Sequence, residues 1–252
     1  MPAAARAVRA DAPVWFQLYL QPEPEVTLAL VRRAERAGCS ALVVTVDSPV
    51  FGRRERDARH GFDDLPDGLA AENMRGLPGA PDGRPRDIAM TPGLSWDDLR
   101  RLRAQTRLPV LLKGILHPGD ARIAVAEGVD GLLVSNHGGR QLDAAPASIE
   151  ALPAVVLAVA GRVPVLLDGG VRRGSDAAVA LALGASAVGV GRPVLWGLAA
   201  DGEKGVRHVL ELLRAEFDHV LALCGGGSPA DLGPDLVVAR GSARGEGEGE
   251  AR

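Results

Sequence analysis

Aromatic residues, cysteines and long apolar runs are scarce in this sequence. Phe, Trp and Tyr together make up 3% of the 252 residues, so Val, Leu and Ala must fill most of a core. Neither Cys39 nor Cys224 lies in a CxxC or metal-ligand spacing, and two thiols in a chain of this length do not form a disulfide scaffold. No apolar run reaches the ~18 residues of a membrane-spanning helix. We therefore expect a cytoplasmic protein without a metal centre.

Charge is nearly balanced along the chain. The formal net charge of −3 gives no general attraction to nucleic acid or anionic lipid, so neither is expected as a partner. The first residues, MPAAARAVRADAP, lack the apolar segment of a secretory signal. The last ones, GSARGEGEGEAR, contain almost nothing to bury and carry no peroxisomal SKL-type signal, and disorder is expected from about residue 241.

What the sequence does contain is a threefold repeat of one pattern. Each copy starts with Pro-Val and a short apolar run, continues with an amphipathic stretch, and reaches a second apolar run after a glycine. Short Val, Leu and Ile runs are typical of strands buried on both faces, and the glycine supplies a left-handed residue after a helix. The copies start at Pro13, Pro109 and Pro164, and the glycines are Gly38, Gly128 and Gly184. This pattern predicts strand–helix–strand units and an α/β fold.

Six parallel strands are predicted from these units. A closed barrel needs eight, so either two strands precede Met1 or the sheet is open. Residues 53–95 are rich in Gly, Pro, Asp and Arg and are predicted to form one long mobile loop. The strands are Val14–Tyr19, Ala41–Asp47, Val110–Gly114, Gly131–Asn136, Val165–Gly169 and Ala187–Gly191. Helices are expected at Val26–Ala37, Trp96–Gln105 and Ala121–Glu127, and a further helix N-cap at Ser175 or Asp176.

Polar side chains stand at the C-terminal end of every predicted strand, which is the edge where barrel enzymes place their active sites. Ordinary strand exits are often polar too, but charged and titratable types recur at this end only. These residues are Gln17, Tyr19, Thr45, Asp47, Lys113, Ser135, Asn136, His137, Asp168 and Arg192. Glycines next to Arg172 and Arg192 would let backbone N–H groups and guanidinium groups approach a phosphate, so a phosphate site is predicted after the last two strands.

Several motifs resemble those of one family. WFQLY, VTVDSP followed by GRR, LPVLLKG, VSNHGGRQLD, PVLLDGGVRRGSD and GVGRP resemble, in this order, the motifs of FMN-dependent 2-hydroxy-acid oxidases and dehydrogenases. That family includes glycolate oxidase, lactate oxidase and dehydrogenase, and mandelate dehydrogenase. The resemblance covers Val14 to Gly225, and SNHGGRQLD is its most specific part. It implies a TIM (β/α)₈ barrel that binds FMN and oxidises an (S)-2-hydroxy acid to a 2-oxo acid.

The resemblance implies a role for each residue of the catalytic set. His137 would be the base, and Asp47 would stabilise its protonated form; whether His137 removes the hydroxyl proton or the α-carbon proton stays open. Arg54 and Arg140 would hold the substrate carboxylate, since a guanidinium matches a carboxylate with two parallel hydrogen bonds. Tyr19 would give its hydroxyl to the substrate. A solvated arginine and a core aromatic are the competing interpretations of Arg54 and Tyr19.

The resemblance also implies the FMN ligands. Lys113 would stand near the flavin N1 and O2 atoms, where a fixed cation favours the reduced ring. Gln17, Thr45 and Ser135 would hydrogen-bond the ring or the ribityl chain. Asp168 would accept hydrogen bonds from the ribityl hydroxyls. The residues expected to cradle the phosphate are Gly169, Gly170, Arg172, Gly191 and Arg192.

The sequence departs from the family at its start. It begins just before the strand that family members place third, so we expect an N-terminally truncated barrel with about six of the eight strand–helix units. We predict a non-family leader at residues 1–13, the partial barrel domain at 14–225 and a C-terminal extension at 226–252. A truncated, catalytically inactive FMN-barrel fragment is therefore an alternative to an active oxidase.

Another FMN barrel, such as a type 2 isopentenyl-diphosphate isomerase, is a further alternative. A diphosphate substrate would not need two arginines that hold a carboxylate, which argues against it. Phe51, at the start of the long loop, is the candidate for contacting the substrate side chain. A homo-oligomer, tetrameric by resemblance, is also expected.

Overall fold

The computed structural model describes residues 12–62, 69 and 71–238. They fall into two compact units, of which the first ends at Gly169 and the second begins at Gly170. The first unit contains the predicted catalytic residues, and the second contains most of the predicted phosphate ligands.

The first unit alternates strands and helices. Its elements are, in chain order, β1 (Trp15–Leu18), α1 (Pro24–Arg36), β2 (Ala41–Thr45), α2 (Glu55–Arg59), a 3₁₀ turn (Glu72–Met74), α3 (Trp96–Arg103), β3 (Val110–Lys113), α4 (Pro118–Ala126), β4 (Gly131–Val134), α5 (Ser148–Val159) and β5 (Val165–Leu167). Neighbouring strands pair in parallel from β1 to β5 in chain order. These five predicted strands are confirmed. Each is shorter than predicted, because the strands end at Leu18, Thr45, Lys113, Val134 and Leu167, before the last residues predicted for them.

Apolar and polar side chains form successive layers along these strands. Ala41, Val43 and Leu111 form a buried cluster, against which Leu133 and Leu166 pack. Side chains alternate between the two faces of a strand, so the residue two positions later points to the same side. Two positions after the last four of these apolar residues stand Thr45, Lys113, Ser135 and Asp168. The polar layer therefore follows directly on the apolar one, at the C-terminal edge of the sheet.

Helix α1 shows why the crossovers form where they do. Val26, Leu30 and Ala34 recur at helical spacing and are all buried, and a fully buried Val or Leu side chain contributes about 1.5–3 kcal/mol. The helix ends before Gly38, whose φ of +76° lies in the left-handed region. Gly128 has the same φ of +76° after α4. The predicted glycine stops of these two helices are confirmed.

The long loop predicted at residues 53–95 contains regular structure that was not predicted. It includes α2 and the 3₁₀ turn, and Met74 and Leu77 are buried. The Arg33 guanidinium of α1 donates to the Asn73 carbonyl at 2.5 Å, which fixes this part of the segment to the first unit. Helix α2 escaped prediction because its five residues, ERDAR, include no apolar stripe. Residues 63–68 and 70 lie outside the described part of the chain.

The second unit consists of α6 (Gly174–Ala182), β6 (Ala187–Val188) and α7 (Arg192–Leu223), followed by 3₁₀ turns at Pro229–Asp231 and Pro234–Leu236. The sixth predicted strand is confirmed over two residues. Helix α7 was not predicted, and non-helical angles at Asp201 and Gly202 interrupt it. The predicted disorder from about residue 241 concerns residues outside the description. Among the described residues, no helix has both the length and the apolar character needed to cross a membrane.

The expected N-cap at Ser175 or Asp176 is wrong, because α6 already begins at Gly174. Asp176 instead accepts from the backbone N–H groups of Arg172 at 2.8 Å and Arg173 at 2.9 Å. From the first turn of α6, the Asp176 carboxylate thus pairs with N–H groups that precede the helix. The helix dipole also favours a negative charge in the first turn.

Candidate active site

His137 and Asp47 meet at the C-terminal edge of the first unit's sheet. The imidazole Nδ1 lies 3.0 Å from Asp47 Oδ1, although 90 positions separate the two residues in the chain. A hydrogen bond from a neutral imidazole to an ionised carboxylate would place the imidazole proton on Nδ1 and leave the lone pair on Nε2. The His137 side chain is 22% exposed. The pair thus offers a basic nitrogen at an accessible position, with a carboxylate placed to stabilise the imidazolium.

The turn after β4 directs the His137 side chain. The φ of His137 is +56°, in the left-handed region, which costs a residue with a side chain about 1–2 kcal/mol. The His137 N–H donates to Ser135 Oγ at 3.0 Å, and the Gly138 N–H donates to Asn136 Oδ1 at 3.1 Å. The Asn136 N–H in turn donates to Ser148 Oγ at the start of α5, at 3.0 Å. These hydrogen bonds stabilise a strained backbone at the residue predicted to be the base.

Gly114 sets how closely β3 approaches the carboxylate of Asp47. A Cβ atom built on Gly114 would stand 2.5 Å from the Cβ of Asp47, and the φ of Gly114 is +106°. Both observations require a residue without a side chain at this position.

Gly114→Ala is therefore expected to lower the free energy of unfolding by about 2–4 kcal/mol, since the left-handed φ and the overpacking add up. Gly38→Ala is the matched control: its φ is +76°, but no described atom lies within 4 Å of a Cβ built there. That variant should lose only about 1–2 kcal/mol. Urea unfolding followed by circular dichroism measures both, and equal losses would show that the Asp47 contact yields without cost.

Arg54 and Arg140 converge on one carboxylate. Nη1 of Arg54 and Nη2 of Arg140 each lie 3.8 Å from Oδ2 of Asp57. The two arginine side chains are 41% and 44% exposed. The structure therefore brings the two predicted substrate-binding arginines together, on a side that solvent can reach.

A contact between two loops explains why these arginines meet. The Gly52 N–H donates to Gln141 Oε1 at 2.8 Å, and Gln141 Nε2 donates to the Val50 carbonyl at 3.4 Å. A Cβ atom on Gly52 would overlap the carbonyl oxygen of Arg140. The segment before Arg54 therefore packs directly against the segment that carries Arg140. Sequence reasoning missed both Gly52 and Gln141, although each is adjacent to a motif arginine or one residue removed from it.

Tyr19 lies just beyond β1 and is half-buried. Burial raises the pKa of its phenol above the ordinary value, and the negative charge of Asp47 raises it further; a hydrogen bond with Ser48 and the charge of Arg54 partly offset this. The hydroxyl therefore stays protonated at neutral pH and can donate a hydrogen bond. The charges of Asp47 and Arg54, two residues that were predicted to share its site, thus act on the Tyr19 hydroxyl.

Ser48 is a second polar residue that sequence reasoning missed. Its buried hydroxyl donates to Asp47 Oδ1 at 2.9 Å and lies 3.5 Å from His137 Nδ1. The only signal available was its position directly after Asp47. The Ser48 hydroxyl helps to fix the carboxylate oxygen that His137 uses.

Lys113, Ser135 and Asp168 form a polar group next to the apolar cluster, in which Ser135 is buried and the Lys113 and Asp168 side chains are partly buried. The Lys113 ammonium donates to Ser135 Oγ at 2.8 Å and lies 3.2 Å from Asp168 Oδ2. Asp168 Oδ1 is buried and has no hydrogen-bond partner among the described residues. A buried carboxylate oxygen without a donor is costly, so this atom suits a ligand that brings a hydroxyl group.

Gln17 and Thr45 complete the predicted ring-binding set of the first unit, and Gln17 Nε2 donates to Thr45 Oγ1 at 2.9 Å. Gly169 also belongs to this unit. Its φ is +89°, and a Cβ atom there would stand 2.9 Å from Asn136 Oδ1 and 3.0 Å from Ser148 Oγ. The loop after β5 therefore packs closely against the turn that carries His137.

The second unit carries the other predicted phosphate ligands. Gly170 has a φ of +83°, in the left-handed region. Gly191 precedes α7 and Arg192 is its first residue, so a guanidinium-bearing residue stands at the start of a helix, where the helix dipole favours an anion. The Arg172 guanidinium lies 5.4 Å from the ring centroid of Trp196, within cation–π range. No group of three or more potential metal ligands occurs within the described parts of the chain.

Comparison with known proteins identifies the family. A sequence model of the FMN-dependent dehydrogenases matches residues 2–239. The chain is 47% identical over 224 residues to 2-hydroxyacid oxidase 2 of Mus musculus, covering 88% of this chain and 63% of that protein. It is 50% identical to glycolate oxidase 1 of Oryza sativa subsp. japonica (86% and 61% covered) and to L-lactate oxidase of a Nostoc strain (86% and 62% covered). The chain belongs to the FMN-dependent dehydrogenase family.

Solved structures agree with this assignment. A mandelate oxidase in complex with benzoyl-formic acid superposes with a TM-score of 0.81 at 47% identity, over 91% of this chain and 63% of that one. A mandelate oxidase with (S)-2-phenylpropionate gives 0.80 at 48% identity, with the same coverage. The chain spans about three fifths of the curated relatives that it matches, between 59% and 63% of their length. The described strands therefore correspond to part of an FMN oxidase barrel.

Proposed function

We propose that this chain is the larger part of an enzyme that oxidises an (S)-2-hydroxy acid to a 2-oxo acid with FMN. The observation that carries the proposal is the His137–Asp47 pair at 3.0 Å, with Arg54 and Arg140 held on the same edge. A base with a free nitrogen and two guanidinium groups are what the deprotonation of a 2-hydroxy acid requires. The relatives named for glycolate, lactate and mandelate support this substrate class.

The residues of the first unit fit FMN. The unpartnered Oδ1 of Asp168 suits a ribityl hydroxyl, and the Lys113 ammonium beside it would supply a cation that favours the reduced flavin. Bound FMN would accept the two electrons that leave the α-carbon of the substrate. Gln17, Thr45 and Ser135 remain the proposed donors to the ring. The proposed phosphate ligands are Gly169 in the first unit and, in the second, Gly170, Arg172, Gly191 and Arg192.

In this proposal each catalytic side chain has one task. Arg54 and Arg140 bind the substrate carboxylate, which fixes the position of the α-carbon. His137 Nε2 takes a proton from the substrate, and Asp47 stabilises the imidazolium that results. The protonated Tyr19 hydroxyl donates to a substrate oxygen, as the raised pKa of Tyr19 allows. Ser48 is a positioning residue, since its hydroxyl bonds to Asp47.

The test is an absorbance spectrum of the purified 252-residue chain, followed by anaerobic addition of L-lactate, glycolate and (S)-mandelate. We expect a flavin spectrum that one of the three substrates bleaches, because the described residues include the base and both arginines. A flavin spectrum that none of them bleaches would contradict the oxidase and leave an FMN-binding protein.

The alternative is an inactive fragment, which the coverage of 59–63% of the relatives favours. A colourless protein that takes up no added FMN would support it. A cytoplasmic location and a tetrameric assembly stay predictions, which cell fractionation and light scattering would test.

A further inference from the structure

Asp57 occupies a position that the proposed mechanism does not use. It lies in the first turn of α2, and its Oδ2 is 3.8 Å from a terminal nitrogen of both Arg54 and Arg140. Two guanidinium groups from distant parts of the sequence therefore face one internal carboxylate. In the proposed function, the same two groups bind the carboxylate of the substrate.

We propose that Asp57 competes with the substrate carboxylate for Arg54 and Arg140, and thereby limits how tightly substrate and product are held. This inference rests on the proposed function of the two arginines. Asp57 acts through the two arginines and touches neither the substrate nor FMN, so it is not a catalytic residue.

The distances support competition rather than a fixed ion pair. A charge-assisted N–H···O hydrogen bond measures about 2.7–2.9 Å, whereas both contacts to Asp57 measure 3.8 Å. The Asp57 side chain is also 30% exposed, so water can solvate its carboxylate when the arginines turn away from it. A loosely held internal anion can be displaced by an anion that makes two short hydrogen bonds to each guanidinium.

The charge count gives the direction of the effect. Arg54, Arg140 and Asp57 together carry one net positive charge, and removing the Asp57 charge would leave two. A 2-oxo acid keeps the carboxylate of the 2-hydroxy acid, so stronger attraction would hold substrate and product alike. Uniform binding of this kind lowers KM without raising kcat, and it slows product release. Asp57 would thus keep the binding of carboxylates by Arg54 and Arg140 (the clamp) weak enough for product to be released and for the enzyme to turn over.

Asp57→Asn keeps the size of the side chain and removes its charge. We expect its Kd for oxalate, a carboxylate that cannot be oxidised in this reaction, to fall about five- to tenfold in calorimetric titration. If the chain turns over a 2-hydroxy acid, KM should fall by a similar factor while kcat does not rise. The difference in Kd between Asp57→Asn and the unchanged chain should shrink as the salt concentration rises from about 0.01 M to about 1 M. Salt screens the repulsion between the Asp57 carboxylate and oxalate, which the variant lacks.

Glu55→Gln is the matched control. It removes a negative charge from the first turn of the same helix, but Glu55 pairs with Arg59, at 3.5 Å, and not with the two clamp arginines. Its Kd for oxalate should stay within about twofold of the unchanged chain, since an exposed pair contributes little. If Glu55→Gln lowered the Kd for oxalate as much as Asp57→Asn does, the effect would come from the charge of the helix in general. That result would overturn the proposal.

Two other results would also overturn it. Asp57→Asn with an unchanged or weaker affinity for oxalate would mean that Asp57 supports the arginines instead of competing for them. No measurable oxalate binding by any of the three proteins would mean that the arginine pair takes no carboxylate. Failure of the proposed function alone would give a different result. The protein would bind no FMN, or no 2-hydroxy acid would bleach it, but the difference in Kd for oxalate between the unchanged chain and Asp57→Asn would persist.

Discussion

Replacing His137 by alanine is expected to slow flavin bleaching by substrate about 10²- to 10⁴-fold, the usual contribution of a general base. The physical reason is the proposed role of His137, whose Nδ1 lies 3.0 Å from Asp47 Oδ1 and whose Nε2 would take the substrate proton. Binding of FMN should be retained, because the proposed FMN ligands do not include the imidazole. The measurement is anaerobic stopped-flow absorbance with the 2-hydroxy acid that bleaches the unchanged chain fastest.

His208→Ala is the control for this variant. His208 is exposed on α7, and losing its imidazole should leave the bleaching rate unchanged. A His137→Ala protein that bleaches at the normal rate would assign the base to another residue. A His137→Ala protein that has lost its flavin would instead assign the imidazole to cofactor binding.

Arg140→Lys should lower kcat/KM roughly 10- to 100-fold, about 1.4–2.7 kcal/mol of transition-state stabilisation. Lysine keeps the positive charge but cannot form two parallel hydrogen bonds to a carboxylate. The loss should appear for every 2-hydroxy acid that the chain oxidises, because the carboxylate is common to all of them. Steady-state kinetics with lactate, glycolate and mandelate measures it.

Arg56→Lys is the control for Arg140→Lys, since it makes the same arginine-to-lysine change at a residue outside the proposed site. Arg56 is exposed on α2, two residues after Arg54, and its replacement should leave kcat/KM unchanged. Equal kcat/KM values for Arg140→Lys and the unchanged chain would refute the role of Arg140 in the clamp.

The strands, and the closeness of Asp47 after β2 to His137 after β4, could be predicted because the signals lie in short local stretches of sequence. A continuous run such as ALVVT is buried on both faces, which is typical of a strand in a parallel sheet. The C-terminal ends of parallel strands meet at one edge, so Asp47 and His137 were expected to be close, and the distance of 3.0 Å agrees. Their chemical roles stay predictions.

The parts that sequence reasoning missed depend on contacts between distant segments. The hydrogen bond from Gly52 to Gln141 joins residues 89 positions apart, and neither residue type announces such a contact. Asp57 was not predicted to take part in the site, because the short helix that carries it has no apolar period. The N-cap of α6 was placed too late, since an Asp at the third helical position can satisfy the same N–H groups as an N-cap residue.

The layering of each strand has a consequence for how such a site could change over time. The apolar side chains at Val43, Leu111, Leu133 and Leu166 pack together, while the polar ones two positions later lie outside this cluster. Substitutions among the polar residues can therefore alter what the site binds while the apolar packing stays in place, and substitutions among the apolar residues can adjust stability while the polar side chains are kept. Evolution can thus act on reactivity and on folding separately within one short strand.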